Sequence, residues 1–317
     1  MATEPSIKQW FNRGAIQVNG EVVSLIAKVS LNDEIVIQGQ HHYRIANIPD
    51  TPRWHVEPLS PLPQKINGLV RAHCGQHKCL TMYVRDVFAR TFNSRINREL
   101  TFTHFFARVD QFYRYANRWS LCSISGHRLN LDLFNDIKVT RFVRDPRDMV
   151  VSSYFYHKRS AENWCSFKNP KPQDYHRVNG AIPSAIPRGE SLASYLNSCS
   201  LEEGLKAEIE FRRPHFESMM GWPTNDNRVK TFRYEDIIGN EAKVFFQMCR
   251  HLQLPVLTQI QAASNAYKLS AARLEKANPH IRNARSGQWR NYFSPQLTEF
   301  FKREHGELLE SLAYPVD

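Results

Sequence analysis

The stretch HCGQHKCLTMYVRDVF, residues 73–88, places Lys78 and Thr81 in the connection between an apolar run, INGLVRA, and a segment with helical spacing. A lysine and a hydroxyl at a helix start can cradle a phosphate, because the ammonium supplies charge and the first helical N–H groups supply oriented donors. The expected second glycine is missing. Leu80 stands in its place, and leucine resists both the positive φ and the close backbone approach that glycine permits. A second group lies in IKVTRFVRDPRDMVVSSYFYH. There a strand ends at Val143, Arg144 leaves its C-terminal end, Asp145-Pro146 turns the chain, and a helix carries Ser152 and Ser153 in its early turns. A guanidinium fork beside a hydroxyl near a helix N-terminus is a phosphate clamp. The plainer alternative for both places is a strand–turn–helix connection with solvated cations.

These groups need a scaffold that brings strand ends together. INGLVRA, SLCSISG, IKVTRFVR and NRVKTFRYEDI read as strands, while CLTMYVRDVFARTF, RDMVVSSYFYHK and EAKVFFQMCRHLQ read as helices. A last helix begins at Ser294 as N-cap with Pro295 in its first position, and Leu297, Phe300, Phe301 and Leu308 recur near helical spacing. The alternation predicts an α/β fold, a three-layer sandwich about a central parallel sheet, with ligands at the C-terminal strand ends. Residues 158–190 interrupt it with a long polar stretch that reads as a substrate loop or a disordered segment, its Trp164, Phe167 and Tyr175 lining or covering an acceptor. Residues 1–48 predict a small α+β domain, with a helix ending at Gly14 and a hairpin about Asn19-Gly20. The proline-rich residues 49–64 read as a stiff linker, and residues 65–317 as the main domain.

Composition bounds the function. The 317 residues are 42% hydrophobic and 23% charged, as in ordinary globular chains. Net charge is +11 with histidine neutral, which favours an anionic partner without choosing among a polyphosphorylated cofactor, nucleic acid, an acidic sugar and a membrane surface. Cys74, Cys79, Cys122, Cys165, Cys199 and Cys249 form no CxxC pair and no zinc spacing, which suggests reduced thiols in a cytoplasm and no metal site. The opening residues lack the apolar core of a secretory leader, and no window has the length of a membrane span.

Four motifs in order carry a family resemblance. VTRFVRDPRDMVVSSYFYH resembles the 3′-phosphate motif of PAPS-dependent sulfotransferases, an arginine, Asn/Asp, proline, basic residue and aspartate, with a serine eight residues after the arginine; Arg144 and Ser152 hold those positions. HKCLT resembles the family's 5′-phosphosulfate loop, with Lys78 and Thr81 matched and Cys79 and Met82 as further loop positions toward the cofactor. KTFRYEDI places Tyr234 near the adenine, and RNARSGQWRNYF resembles the C-terminal segment in which Arg282, Gly287 and Trp289 match. The departures are Leu80, Met82, Asn283 and Ala284. The resemblance covers about residues 64–317 and implies a P-loop-like fold, 3′-phosphoadenosine 5′-phosphosulfate (PAPS) as sulfate donor and its bisphosphate PAP as product. It also implies Lys78 as stabiliser of the leaving phosphate and His127, just after SLCSISG, as catalytic base. Histidine suits that role because its pKa lies near neutrality; His77 and His104 are rivals. Tyr83, Trp289 and Phe293 read as core aromatics, with Tyr83 a lesser candidate for the adenine side.

The N-terminal stretch, with GAIQVNG and NDEIVI, is similar to the later part of an S-four RNA-binding domain, which makes RNA a secondary expectation as partner through Lys8, Arg13 and Lys28. The rival functions are an RNA-binding protein with a degenerate transferase body and a nucleotide-dependent kinase, whose G-x-x-x-x-G-K-[ST] spacing HCGQHKCLT does not fit. The acceptor, whether small molecule, carbohydrate or lipid, and the oligomeric state are not legible in the sequence.

Overall fold

The computed structural model describes residues 65–175, 178–223, 225–270 and 285–316, together with the backbone of five strands between residues 16 and 58. The chain divides into two units, Met1–Leu62 and Pro63–Asp317.

In the first unit, β1 (Ile16–Val18), β2 (Glu21–Val22), β3 (Glu34–Ile37), β4 (His41–Asn47) and β5 (Trp54–Pro58) form one antiparallel sheet in the order β2-β1-β3-β4-β5. The pairing Val18↔Glu21 brackets Asn19 and Gly20. The helix expected before Gly14 lies outside the described residues. β5 falls inside the stretch expected to be a linker. It pairs with β4 from Tyr43↔Pro58 to Asn47↔Trp54, and it is an edge strand, where a proline removes no ladder bond from a second neighbour.

The second unit is built on β6 (Ile66–Gly75), β7 (Phe102–His104), β8 (Leu121–Ser125), β9 (Phe134–Val143) and β10 (Val229–Arg233). All pairs are parallel, in the order β10-β9-β6-β8-β7. From central β6 the chain builds β7 and β8 on one side and then β9 and β10 on the other. The crevice where strand order reverses therefore opens beside the C-terminal end of β6.

Helices cover the sheet. In α1 (Thr81–Phe92), Val84, Val87, Phe88 and Thr91 are buried at helical spacing. They meet Phe142 of β9, Phe232 of β10, α7 (Glu241–His251) and α8 (Val256–Lys268). Another cluster gathers Val70, Ala72, Ile124 and Val139 with Phe112 of α2 (Val109–Tyr115). A third joins α3 (Pro146–Lys158), α4 (Leu192–Ser198), α5 (Leu201–Phe211), α6 (Arg213–Met219) and α9 (Pro295–Ser311). The cap expected at Ser294 is present: its hydroxyl accepts from the Leu297 N–H at 3.1 Å, with Pro295 first in the helix. α5 starts with a full capping box between Ser200 and Glu203.

The long polar stretch after α3 is ordered by its aromatics. Trp164 and Tyr175 are buried against Phe211, with Trp164 and Phe211 rings stacked at 5.4 Å. Of the three aromatics expected to line an acceptor, only Phe167 is exposed, because burying the other two anchors the connection to the core.

The packing of α5 on α3 leaves no room at Gly204, where an added Cβ would lie 2.5 Å from Cε2 of Tyr154. Alanine normally strengthens a helix by about 1 kcal/mol over glycine. Here the overlap should win, so Gly204→Ala is expected to lower stability by about 1–3 kcal/mol, read as a fall in the urea midpoint at unchanged slope. A midpoint that rises would mean the two helices are not in this contact.

Candidate anion site at the ends of strands β6 and β9

Beyond Gly75 the chain makes a turn closed by the Cys79 N–H donating to the Gln76 carbonyl at 2.9 Å. Its third residue, Lys78, has φ of 69°, the left-handed conformation that a type II turn requires at that position. Leu80, at the N-cap of α1, also lies there, with φ of 61°. The leucine expected to resist a positive φ therefore adopts one. Each such non-glycine residue costs on the order of 1–2 kcal/mol, so the surroundings must hold it.

Two buried arginines grip consecutive carbonyls of this turn. Arg212, at the C-terminal end of α5, donates from a terminal nitrogen to the His77 carbonyl at 3.2 Å. Arg144, just past β9, donates to the Lys78 carbonyl at 3.3 Å. Thr81 adds a third tie, donating from its hydroxyl to the Gln76 carbonyl at 2.9 Å.

The residues after Arg144 each have a separate structural task. The Asp145 carboxylate caps α3 by accepting from the Arg147 N–H at 2.9 Å, and Pro146 occupies the first helical position. Arg147 forks onto Asp145 at 3.0 and 2.9 Å and lies 3.9 Å over the Trp289 ring. Asp148 accepts from the Gly287 N–H at 2.6 Å and the Trp289 N–H at 2.8 Å, fixing the C-terminal segment beside the helix start. Gly287 has φ of 72°, which suits glycine. Asp148 and Ser152, four apart in α3, share one face, with Ser152 half-buried. Arg144 also lies 4.1 Å over the Tyr234 ring and 4.0 Å from Asp148.

The site is electropositive and partly dry. Burial holds the Lys78 ammonium down to about 7, helped by the charges of Arg212 and then Arg144. Its Nζ lies 3.5 Å over the Tyr156 ring. The Tyr156 hydroxyl donates to Glu162 at 2.9 Å and the Trp164 indole donates to the same carboxylate at 2.6 Å. Burial works against that carboxylate's charge, but the His77 imidazole 3.8 Å away and the bonds from Trp164 and Tyr156 outweigh it and hold Glu162 near 2. Beneath the turn, His77 stacks on His157 at 5.5 Å, and His157 is bonded to buried Glu208 at 2.7 Å.

Other expected residues fall differently. The Cys79 side chain is wholly buried in the core beside α1 and its N–H is consumed by the turn, so Cys79 offers a ligand neither group. Met82 points outward at 51% exposure. Tyr83 packs edge-on to Phe245 and donates to the Ala266 carbonyl at 2.6 Å, the core role expected of it, as Trp289 and Phe293 are buried in theirs. Arg282, Asn283 and Ala284 lie outside the described residues.

Of the three histidines, His77 lies in the turn after β6, His104 ends β7, and His127 follows β8 beside the end of β6. The preceding Gly126 N–H donates to the Gly75 carbonyl at 2.9 Å. His127 Nε2 meets the Ala107 carbonyl at 2.8 Å; a carbonyl only accepts, so this nitrogen carries a proton. His77 is held at about 3, chiefly by burial, and His104 at about 4, also by burial, which makes both poor bases. Arg212 was missed from sequence. It sits in EFRRPHF, where nothing distinguishes it from its neighbour Arg213 except the fold that buries it.

The family model described as "Sulfotransferase domain" matches residues 133–312. That span includes Arg144, Ser152 and Tyr234, while the turn at Lys78 and His127 precede it. Among solved structures, a mouse sulfotransferase complexed with PAP is 15% identical, covering 78% of this chain and 87% of its own, at a TM-score of 0.44. Retinol dehydratase in a complex with retinol and PAP is 14% identical, covering 85% and 90%, at 0.45. Retinol dehydratase with androsterone and inactive cofactor PAP is 14% identical, covering 75% and 80%, at 0.41. No curated protein sequence matches significantly.

The strain at Leu80 gives a test of the turn. Both Leu80→Ala and Leu80→Gly lose the same packing against the α1 core, but only glycine escapes the left-handed penalty. The glycine variant is expected to be more stable than the alanine variant by about 1 kcal/mol or more, since glycine takes this left-handed N-cap backbone without strain and is the better N-cap residue. Thermal melts of the pair decide it; an alanine variant that melts higher would remove the strain.

Proposed function

The chain belongs to the sulfotransferase domain family, and we propose that it transfers a sulfuryl group from PAPS to a hydroxyl or amine of a small-molecule, carbohydrate or lipid acceptor. The observation that carries this reading is the grip of Arg144 on the Lys78 carbonyl. It joins the turn after β6 to the helix start after β9, so the two candidate phosphate subsites are one unit. Arg144 and Ser152 would hold the donor's 3′-phosphate, and Lys78 with the N-terminal turn of α1, including Thr81, would hold the 5′-phosphosulfate. Tyr234, already under the Arg144 guanidinium, suits the adenine side. Arg282 would add a second 3′-phosphate contact by resemblance.

The reaction is an in-line displacement at sulfur. The acceptor oxygen or nitrogen forms a bond to sulfur while the bond from sulfur to the bridging oxygen breaks, and PAP leaves with that electron pair. Charge grows on the leaving phosphate, where a buried ammonium acts through low dielectric and needs no reorganisation. The acceptor's proton must go to a base, and His127, placed beside the end of β6 and matched by the family resemblance, is the proposed one. RNA contact through the first unit rests only on the sequence resemblance to an S-four domain and is tested by salt-dependent binding of RNA. A cytoplasmic location, the expected reading of the cysteines, is likewise proposed; among the described residues no helix is long and apolar enough to cross a membrane.

Calorimetric titration with PAP, with ADP as control, tests the donor. Wild-type protein is expected to bind PAP and not ADP, and Arg144→Ala to lose at least tenfold in affinity, as removal of a charge-assisted contact implies. Equal binding of both nucleotides, or of neither, would sink the reading.

Lys78 adds a pH signature. Free Lys78 is held near 7, and a 5′-phosphate beside it favours the ammonium, so its pKa must rise on binding. PAP binding above pH 7 should take up a proton, and affinity should fall with rising pH by at most about tenfold per unit. Titrations at pH 8 in buffers of different ionisation enthalpy read that proton directly. Affinity that stays flat from below pH 7 to above pH 8 would remove Lys78 from contact with the phosphate.

A further inference from the structure

Arg212 belongs to none of the four motifs, yet it is the guanidinium most deeply committed to the turn. It is wholly buried. Its Nε donates to the Ser153 hydroxyl at 2.8 Å and a terminal nitrogen donates to the His77 carbonyl at 3.2 Å. The other terminal nitrogen is buried without a hydrogen-bond partner. Its nearest acidic influence, Glu208, is one turn earlier in α5 and is bonded to His157 instead. The other charges acting on it include Arg144, a like charge. A buried cation with no carboxylate on its fork is costly, and its two hydrogen bonds are what it is held for.

Of their acceptors, Ser153 is adjacent to Ser152 on α3, and His77 precedes Lys78 in the turn. Arg212 therefore spans the two candidate phosphate subsites from behind, out of reach of solvent. It fixes the peptide unit between His77 and Lys78, so that the Lys78 N–H, on the opposite side of that unit from the gripped carbonyl, turns away from Arg212. It is also the strongest neighbouring charge on Lys78, ahead of Arg144.

We infer that Arg212 is a positioning residue of the donor site, which holds the glycine-poor turn in its phosphate-binding form by bridging the His77 carbonyl to Ser153 of α3. The inference rests on the donor reading above. It assigns Arg212 to the 5′ side of the donor, because the backbone it grips is the turn that carries Lys78, and it requires the planar fork rather than charge alone. A lysine cannot make both bonds from one nitrogen in the same directions.

The test uses the full chain and two probes, PAP and adenosine 3′-monophosphate, which lacks the 5′-phosphate. Arg212→Gln and Arg212→Lys are expected to weaken PAP about 10- to 100-fold while leaving adenosine 3′-monophosphate within about twofold of wild type. Ser153→Ala, which removes only the far anchor, should shift the same selectivity in the same direction by a smaller factor and covers the case in which an Arg212 variant fails to fold. Arg144→Ala, by contrast, should weaken both probes. Equal loss of both probes in the Arg212 and Ser153 variants, full rescue by lysine, or unchanged PAP binding in a folded variant would overturn the inference. Wild-type protein that binds neither probe would overturn the donor reading itself.

Discussion

A turn that passes through the left-handed region at both Lys78 and Leu80, with glycine at neither, must be held by something outside itself. In this protein the holding groups are guanidinium donors on consecutive carbonyls, one from the helix start after β9 and one from the end of α5. Neither arginine is local in sequence. Arg144 reaches the turn because β6 and β9 pair in parallel, with Cys74 opposite Arg141, and Arg212 because α5 packs on α3, the helix after β9. The sheet register is therefore a condition for the turn, and the turn is a condition for any use of Lys78.

Concentrating cations at that rim has an electrostatic consequence. Arg212 and Arg144 disfavour the charge of Lys78, Arg144 disfavours that of Arg212, and burial adds to both, so the free site resists its own full protonation. The local carboxylates offset it only in part, through Glu162 on Lys78 and Glu208 on Arg212. Asp145 is occupied by Arg147, Asp148 holds the amides of Gly287 and Trp289 while standing 4.0 Å from Arg144, and Glu208 holds His157. A dianion arriving at the rim relieves the repulsion, which is why a multiply charged donor fits this arrangement better than a neutral ligand. The same engagement of carboxylates argues against the kinase alternative, whose carboxylates must face the phosphates to hold a metal.

The parts legible in sequence were those whose chemistry is local. Strand–helix alternation gave the parallel sheet, and the run from Arg144 to Asp148 could be read because turn, cap, first-position proline and helix follow one another within a few residues. The Ser294 cap was legible for the same reason. Reading failed where tertiary context overrode local preference. Leu80 adopts the backbone that its side chain disfavours, and the proline-rich stretch hides a strand because proline is tolerated at a sheet edge. Cys79 turns inward, since the bond that closes the turn uses its amide. Arg212 was invisible because burial, not residue type, separates it from Arg213.

The loss of glycine from the turn and the burial of Arg212 are two sides of one physical problem. A glycine-rich loop can reach a phosphate with its backbone at little conformational cost, and then needs few external restraints. A loop of His77, Lys78, Cys79 and Leu80 begins from a less favourable backbone and gains stiffness in exchange, because each residue is packed or bonded: His77 on His157, Lys78 over Tyr156, Cys79 in the core, Leu80 at the helix start. Stiffness of this kind favours a site formed before its ligand arrives, with the ordering cost met during folding rather than on binding. The leucine in place of glycine need not mark a decayed site, because the fold supplies from α3 and α5 the restraint that the loop's own sequence lacks.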